Sequence, residues 1–381
     1  MKKRIKTVLK WTAVVLVLIL AVIAFGAWRK FGTFVVAARS IHKLQDGLYV
    51  MEYRGDYGFD DFLAQGGAAD DSAVADYLIG FLSRGYYRKA DNEIKPGDFG
   101  CSTVCVRGET KGVVYFGRNF DWGKGRAMIV HTVPENGYES ISTCDLDFLG
   151  FGDDYSPDGS MQERIQTLAA IYVPLDGMNE KGLVIADLMA GDDEETHQKT
   201  DKPDLTTTTA IRLLLDQAAN VDEAVELLKQ YDMNSSIGAA HHFAIADASG
   251  KSVVVEYVNG EMLVTETNIV TNHYLSDCAK KGVGSQQSHQ RFDKLSELAS
   301  RPWTDFGSGG SRLAFERLRS MLKSVAQSNY PQTDGSFETT LWSIVYEPRS
   351  CGAEFYFSEQ YDRGCKMQLG RKIGFLVQFI E

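Results

Sequence analysis

Cys101, Arg118 and Asp121 have the side chains and the spacing best suited to chemistry in this sequence. They lie in Gly100-Cys101-Ser102-Thr103-Val104-Cys105-Val106-Arg107 and in Val113-Val114-Tyr115-Phe116-Gly117-Arg118-Asn119-Phe120-Asp121-Trp122. Two runs rich in β-branched and aromatic residues, joined by a polar turn over 108–112, read as a hairpin. The return strand carries Arg118 and Asp121 back towards Cys101. A thiol, a fixed cation and a carboxylate gathered at the ends of paired strands are the ingredients of a nucleophilic site. Cys101 and Cys105 are four apart and face the same way on a strand. The ordinary fate of each is that of a small buried hydrophobe. Gly100 singles out Cys101, because a residue without Cβ tolerates the strained backbone that cleavage of the 100–101 bond would exploit.

Cys-Ser followed by a hairpin and Gly-Arg-Asn-Phe-Asp-Trp resembles the N-terminal-nucleophile amidases of the choloylglycine hydrolase, penicillin V acylase, acid ceramidase and isopenicillin N acyltransferase group. The resemblance runs from Gly100 to about Glu256 or Asn272, and more faintly to Arg291 and the C-terminal strands; residues 1–99 lie outside it. It implies that Cys101 becomes the first residue of the active chain and that its own α-amine serves as base. Arg118 would hold the thiolate and lower its pKa. Asp121 would accept hydrogen bonds from the freed α-ammonium and orient it. Taken alone, Arg118 and Asp121 are an ordinary ion pair on a strand end.

Asp176-Gly177-Met178-Asn179-Glu180-Lys181-Gly182-Leu183 is a second match to the same group. Six positions beyond Leu183 the family carries an asparagine whose backbone helps to form the oxyanion hole; here the residue is Met189. A backbone N–H does not depend on the side chain, so oxyanion stabilisation survives while any contact of the asparagine side chain is lost. Thr271-Asn272-His273-Tyr274 is similar to the family's Thr-Asn, whose side-chain N–H serves the developing oxyanion. Arg291 fits a family arginine near the active centre, with Arg312 its rival. The implied chemistry needs no metal or organic cofactor.

The elements that must position these residues follow from periodicity. Residues 168–174 and 176–186 read as a strand, a tight Asn-Glu-Lys-Gly turn and a second strand. Residues 206–219 and 221–231 read as amphipathic helices. His241 to Asp247 and Ser252 to Glu256 read as another hairpin. His241 and His242 are adjacent on a strand, so they point to opposite faces and cannot jointly clamp a metal. Residues 339–346 and 354–357 read as two final strands. Hairpins with intervening helix pairs make an α+β protein; the resemblance makes it the four-layer αββα sandwich of an N-terminal-nucleophile (Ntn) hydrolase.

The sequence has 381 residues, 44% hydrophobic and 24% charged, enough for a real core. The net charge is 40 − 51 = −11, and the only basic cluster is at the extreme N-terminus, so a nucleic-acid partner is not expected. Lys2, Lys3, Arg4, Lys6 and Lys10 precede an apolar run over residues 11–28, closed by Arg29 and Lys30. As a helix that run spans roughly 27 Å, close to the hydrocarbon thickness of a bilayer. The flanking charge keeps its N-terminus cytoplasmic and places the body outside the membrane. A cleaved secretory signal ending near Ala24, Gly26 or Ala27 is the competing reading.

The expected organisation is a membrane helix over 1–30, a propeptide-like segment over 31–100 and a catalytic domain over 101–381. A small structural extension is the other reading of the middle segment, in which Ser72 can cap a helix. Cys351 and Cys365 are the pair to test for a disulfide. The expected activity is hydrolysis of a small-molecule N-acyl amide, or transfer of its acyl group to an amine. A cysteine hydrolase with His242 or His273 as base, and an inactive envelope protein that keeps the fold, are the alternatives.

Overall fold

The computed structural model describes residues 2–84, 100–108, 112–152, 154–191, 194–302, 310–331, 337–370 and 377–380. The hairpin expected around the cysteine forms from Gly100–Arg107 and Val114–Trp122. Its antiparallel register sets Gly100 opposite Asp121 and Cys101 opposite Phe120. Among the described residues it belongs to an eight-stranded sheet. The main path of that sheet runs Ile269–Val270, Gly100–Arg107, Val114–Trp122, Phe337–Glu347, Gly352–Phe357, Gly364–Gln368 and Gln378–Ile380. A nine-stranded sheet runs His42–Gln45, Leu48–Arg54, Ala127–Val133, Ser140–Asp145, Asp176–Asn179, Val184–Met189, His241–Ala246, Ser252–Val258 and Glu261–Glu266. Its pairings are antiparallel except that of Leu48–Arg54 with Ala127–Val133.

Strand alternation sorts the core into three layers. Cys101, Phe116, Phe120 and Trp342 from one sheet meet Val50, Ile129, Met178 and Leu188 from the other in the layer between the sheets. Ile211, Leu214 and Leu215 of the helix Thr207–Gln217 cover the outer face of the nine-stranded sheet. Leu295 of Gln286–Ser300, with Leu318 and Leu322 of Gly310–Ser324, covers the outer face of the other against Val104, Tyr115 and Val345. Helix, sheet, sheet and helix therefore stack in that order, the αββα layering expected from the sequence.

Some local expectations change. Leu168–Tyr172 is a buried 3-10 helix rather than a strand. The Ser160 capping box starts the helix Met161–Thr167, and the apolar run simply continues it. A short, fully buried apolar stretch has no period that separates the two forms. Asp70, not Ser72, caps the helix Asp71–Leu82 by accepting from the Ala73 N–H. Cys351 and Cys365 are both free thiols: Cys365 pairs with Phe355, while the Cys351 carbonyl accepts from Leu369. Two strands, Gly364–Gln368 and Gln378–Ile380, extend the sheet beyond the pair expected to close it.

The N-terminal helix runs without interruption over Lys2–Ser40. Its stretch from Lys10 is long and apolar enough to cross a membrane, and the apolar side chains from Trp11 to Trp28 are exposed. Its far end enters the body, where Phe34, Ala37 and Ala38 are buried. Arg164 Nη1 donates to the carbonyls of Ala38 and Ile41 at 3.2 and 2.7 Å. Residues 42–54 then supply two strands of the nine-stranded sheet, and Tyr57 donates to Asp216 Oδ2 at 2.6 Å. The expected processing segment thus reaches into the main core through residue 84; residues 85–99 lie outside the described residues. Phe34 is fully buried, so Phe34→Ala is expected to destabilise the detergent-solubilised protein by about 3–5 kcal/mol, read as a lowered urea midpoint.

Candidate active site

Cys101 sits near the start of its strand with its side chain in the layer between the sheets, 1% exposed. Three groups hold it from different directions. Its Sγ accepts from Arg118 Nη2 at 3.6 Å. Its backbone N–H donates to Asn272 Oδ1 at 2.6 Å. Its carbonyl accepts from Arg291 Nη1 at 2.7 Å.

Strand pairing places Arg118 on the same face as Cys101, two strand positions from Phe120. Its guanidinium is fully buried and ion-paired with Asp176, donates to the Asp187 carbonyl at 2.8 Å and lies 4.9 Å from the centroid of Phe120. Asp176 also accepts from Trp342 Nε1 at 3.1 Å and from the hydroxyls of Thr143 and Tyr346. A buried carboxylate with so many donors is a satisfied charge, so it holds Arg118 in place as a cation.

Asp121 points to the opposite face of the sheet, towards the helix Gln286–Ser300. Its carboxylate accepts from Arg291 Nη1 at 3.1 Å and from the Thr340 hydroxyl. Burial pushes its carboxyl up, to about 6, against Arg291, Thr340 and Arg118, which all favour the anion. Arg291 also donates to Asn272 Oδ1 and Gln287 Oε1, each at 2.8 Å. Arg312 is an exposed residue on another helix, paired with Glu316 and Glu354. The structure therefore brings Arg291, not Arg312, to the cysteine.

Asn272 uses both ends of its amide. Its oxygen accepts from Cys101 and Arg291, and its Nδ2 donates to the Met189 carbonyl at 3.0 Å. The two expected oxyanion donors are thus neighbours. The Asn272 Nδ2 is engaged by the Met189 carbonyl.

The thiol departs from expectation. Burial pushes Cys101 up to about 12; Arg118 pulls it down, and Asp121 and Asp187 oppose that pull. Burial outweighs the pull of one cation that is already matched by Asp176, which favours the neutral thiol.

Among the described residues no hydrogen bond joins an imidazole to Cys101. His241 Nδ1 faces Asp187 at 2.9 and 3.0 Å and its Nε2 faces the Ser236 carbonyl at 3.0 Å. Both partners accept, an arrangement that favours the doubly protonated ring. Burial works against that charge, but Asp187 overcomes it and the pKa is raised. His242 faces the other way, with Nδ1 3.1 Å from Glu256. His273 lies between the hydroxyls of Thr271 and Ser288, and burial pushes it down to about 4.

Asp176, Thr340 and Gln287 are parts of this site that the sequence did not single out. Asp176 had a signal: an aspartate in a fully buried strand needs a cation, and Arg118 was available. Thr340 and Gln287 had none, since each touches the site only through long-range pairing.

The family model for acyl-coenzyme A:6-aminopenicillanic acid acyl-transferase matches residues 168–362, just over half of the chain. The match includes Asn272 and Arg291 and begins after the cysteine hairpin. A penicillin V acylase of Pectobacterium atrosepticum is 33% identical over 100 residues, covering 23% of this chain and 26% of the relative. The chain thus matches about a quarter of that curated relative's length. A solved penicillin V acylase from Agrobacterium tumefaciens overlays with a TM-score of 0.47 at 18% identity, covering 74% of this chain and 98% of its own. A variant of the conjugated bile acid hydrolase from Clostridium perfringens gives 0.49 at 16% identity, covering 74% and 96%.

Glu256 braces the segment that follows Asn272, accepting from the backbone N–H groups of Leu275 and Ser276 at 2.9 and 2.7 Å. Although burial opposes ionisation, His242 and these donors hold its carboxyl down, at about 2 against an ordinary 4.5. A depressed acid stabilises the fold above its unfolded pKa and loses that contribution as pH falls through the folded value. Glu256→Gln is therefore expected to lower the urea midpoint at neutral pH. The gap from the unsubstituted protein should close between about pH 4.5 and about pH 2.

Proposed function

From the premise that the chain belongs to the acyl-coenzyme A:6-aminopenicillanic acid acyl-transferase family, we propose that it is an Ntn amidase whose nucleophile is Cys101. The observation that carries this reading is the grip on the main chain of Cys101. Its nitrogen is bound by Asn272, its carbonyl oxygen by Arg291 and its sulfur by Arg118. An ordinary cysteine hydrolase has reason to hold the sulfur and a histidine. An enzyme whose base is its own α-amine has reason to hold the nitrogen.

Cleavage of the Gly100-Cys101 bond frees that amine. Asp121, already ordered by Arg291 and Thr340, orients it, and the amine takes the thiol proton. The sulfur attacks the carbonyl carbon of a linear N-acyl amide. The oxyanion that forms is held by the Asn272 side chain, released from Met189, and by a backbone N–H near Met189. The amide nitrogen leaves with a proton from the ammonium, and a thioester remains on Cys101. Water or an acceptor amine resolves it and returns the thiol. Arg118, anchored by Asp176, supplies a fixed positive charge beside the sulfur throughout.

The exposed apolar helix and its basic N-terminal flank support an anchor across the membrane, with the amidase on the extracytoplasmic side. Residues 31–84 are woven into the core, so the cut leaves two chains that stay together. The N-terminal one is the membrane link of the other.

Intact mass of the purified full chain tests the reading. The expected result is a chain beginning at Cys101 in the unsubstituted protein and a single uncut chain in Cys101→Ala. Asn272→Ala is expected to lower kcat on an N-acyl amide by about 10²–10³-fold, the loss of one oxyanion donor. A panel of N-acyl amides assayed with both proteins reads this out.

A further inference from the structure

Cleavage at residues 100–101 turns a neutral amide into two charged groups, an ammonium at Cys101 and a carboxylate at Gly100. Arg118 with Asp176 and Arg291 with Asp121 form ion pairs at the site. A third carboxyl lies beside the bond. Glu338, on the strand Phe337–Glu347, is 3% exposed. A Cβ built on Gly100 would overlap its Oε1, so the carboxyl packs directly against the Gly100 Cα. Two residues further on, Thr340 pairs with Asp121, which in turn pairs with Gly100. Glu338 and Thr340 therefore share the sheet face opposite to the Cys101 sulfur.

We propose that Glu338 is a further catalytic residue, one that serves chain cleavage rather than amide turnover; the inference rests on the self-cleavage reading above. In the first step the Cys101 sulfur bonds to the Gly100 carbonyl carbon and the carbon–nitrogen bond breaks. The thiol proton passes to the nitrogen, which takes a second proton from solvent. A neutral amide becomes a thioester plus an ammonium, and an adjacent carboxylate favours that exchange by stabilising the ammonium. In the second step water gives its hydroxyl to the carbonyl carbon and its other proton to the sulfur, and the new carboxylic acid releases its proton to solvent. The Gly100 carboxylate so formed is one bond from the Cα that Glu338 touches. Like-charge repulsion then drives the new C-terminus away from the cysteine and makes the cut irreversible. This contact also explains the glycine: any larger residue at 100 would displace the carboxyl.

The test follows cleavage of the full-length chain by intact mass, over time and from mildly acidic to mildly basic pH. It compares the unsubstituted protein with Glu338→Gln, Glu338→Asp and Cys101→Ala. Glu338→Gln is expected to cleave on the order of tenfold more slowly or worse, the effect of losing a charge that shifts the amine by about one pKa unit. Its pH profile should shift by about one unit towards acid, whereas Glu338→Asp keeps the pH profile of the unsubstituted protein. Cleavage of Glu338→Gln at the normal rate with the normal profile would overturn the proposal. So would a Glu338→Asp protein that is slow and has an acid-shifted profile, which also decides the matter should Glu338→Gln fail to fold. An uncut unsubstituted protein would instead remove the premise.

Discussion

The buried pair between Arg118 and Asp176 is the interaction on which the rest of the architecture depends. Arg118 comes from the eight-stranded sheet and Asp176 from the nine-stranded one, so the contact fixes how the two sheets face each other. Both side chains are fully buried. Removing one partner of such a pair typically costs about 3–5 kcal/mol, because it strands a charge without water. Apolar packing between sheets is indifferent to small slides, whereas a charged pair with Trp342, Tyr346 and Thr143 around it accepts one alignment. That alignment carries the guanidinium to the Cys101 sulfur.

Given that register, the groups around residues 100–101 are divided between the two faces of one sheet. Cys101, Arg118 and Phe120 look into the layer between the sheets. Asp121, Thr340 and Glu338 look out towards the helix that carries Arg291. The main chain at 100–101 is the partition, reached by sulfur from one side and by carboxyl groups from the other. Asn272 and Arg291 close around its nitrogen and oxygen. A site of this form is poorly suited to a separate imidazole base, and each nearby histidine is engaged elsewhere: His241 with Asp187, His242 with Glu256, His273 with Ser288.

Much of this was legible in the sequence, for identifiable reasons. The cysteine hairpin announces itself because alternation, β-branched residues and a polar turn coincide, and its register follows from one antiparallel pairing. Asn272 and Arg291 were readable only through resemblance, since nothing local marks them. Asp176 stood inside a quoted motif, but its task depends on a contact with another sheet. Glu338 has no sequence signal, because its contact arises from the missing Cβ of a residue more than two hundred positions away. The resting state of the thiol was also out of reach. Burial and a matched counter-ion decide it, and neither is a property of the residues nearby in the chain. The 3-10 turn at Leu168–Tyr172 was read as a strand because all five residues are buried, which removes the periodicity that distinguishes the two.

On the proposed reading the nitrogen of Cys101 is an amide before cleavage and an amine in the working enzyme. Cysteine-selective nitrogen NMR of the detergent-solubilised mature protein reads that atom directly. The account predicts one cysteine nitrogen that titrates as an amine and is absent from Cys101→Ala. A spectrum in which every cysteine nitrogen of the active protein remains a non-titrating amide would contradict it.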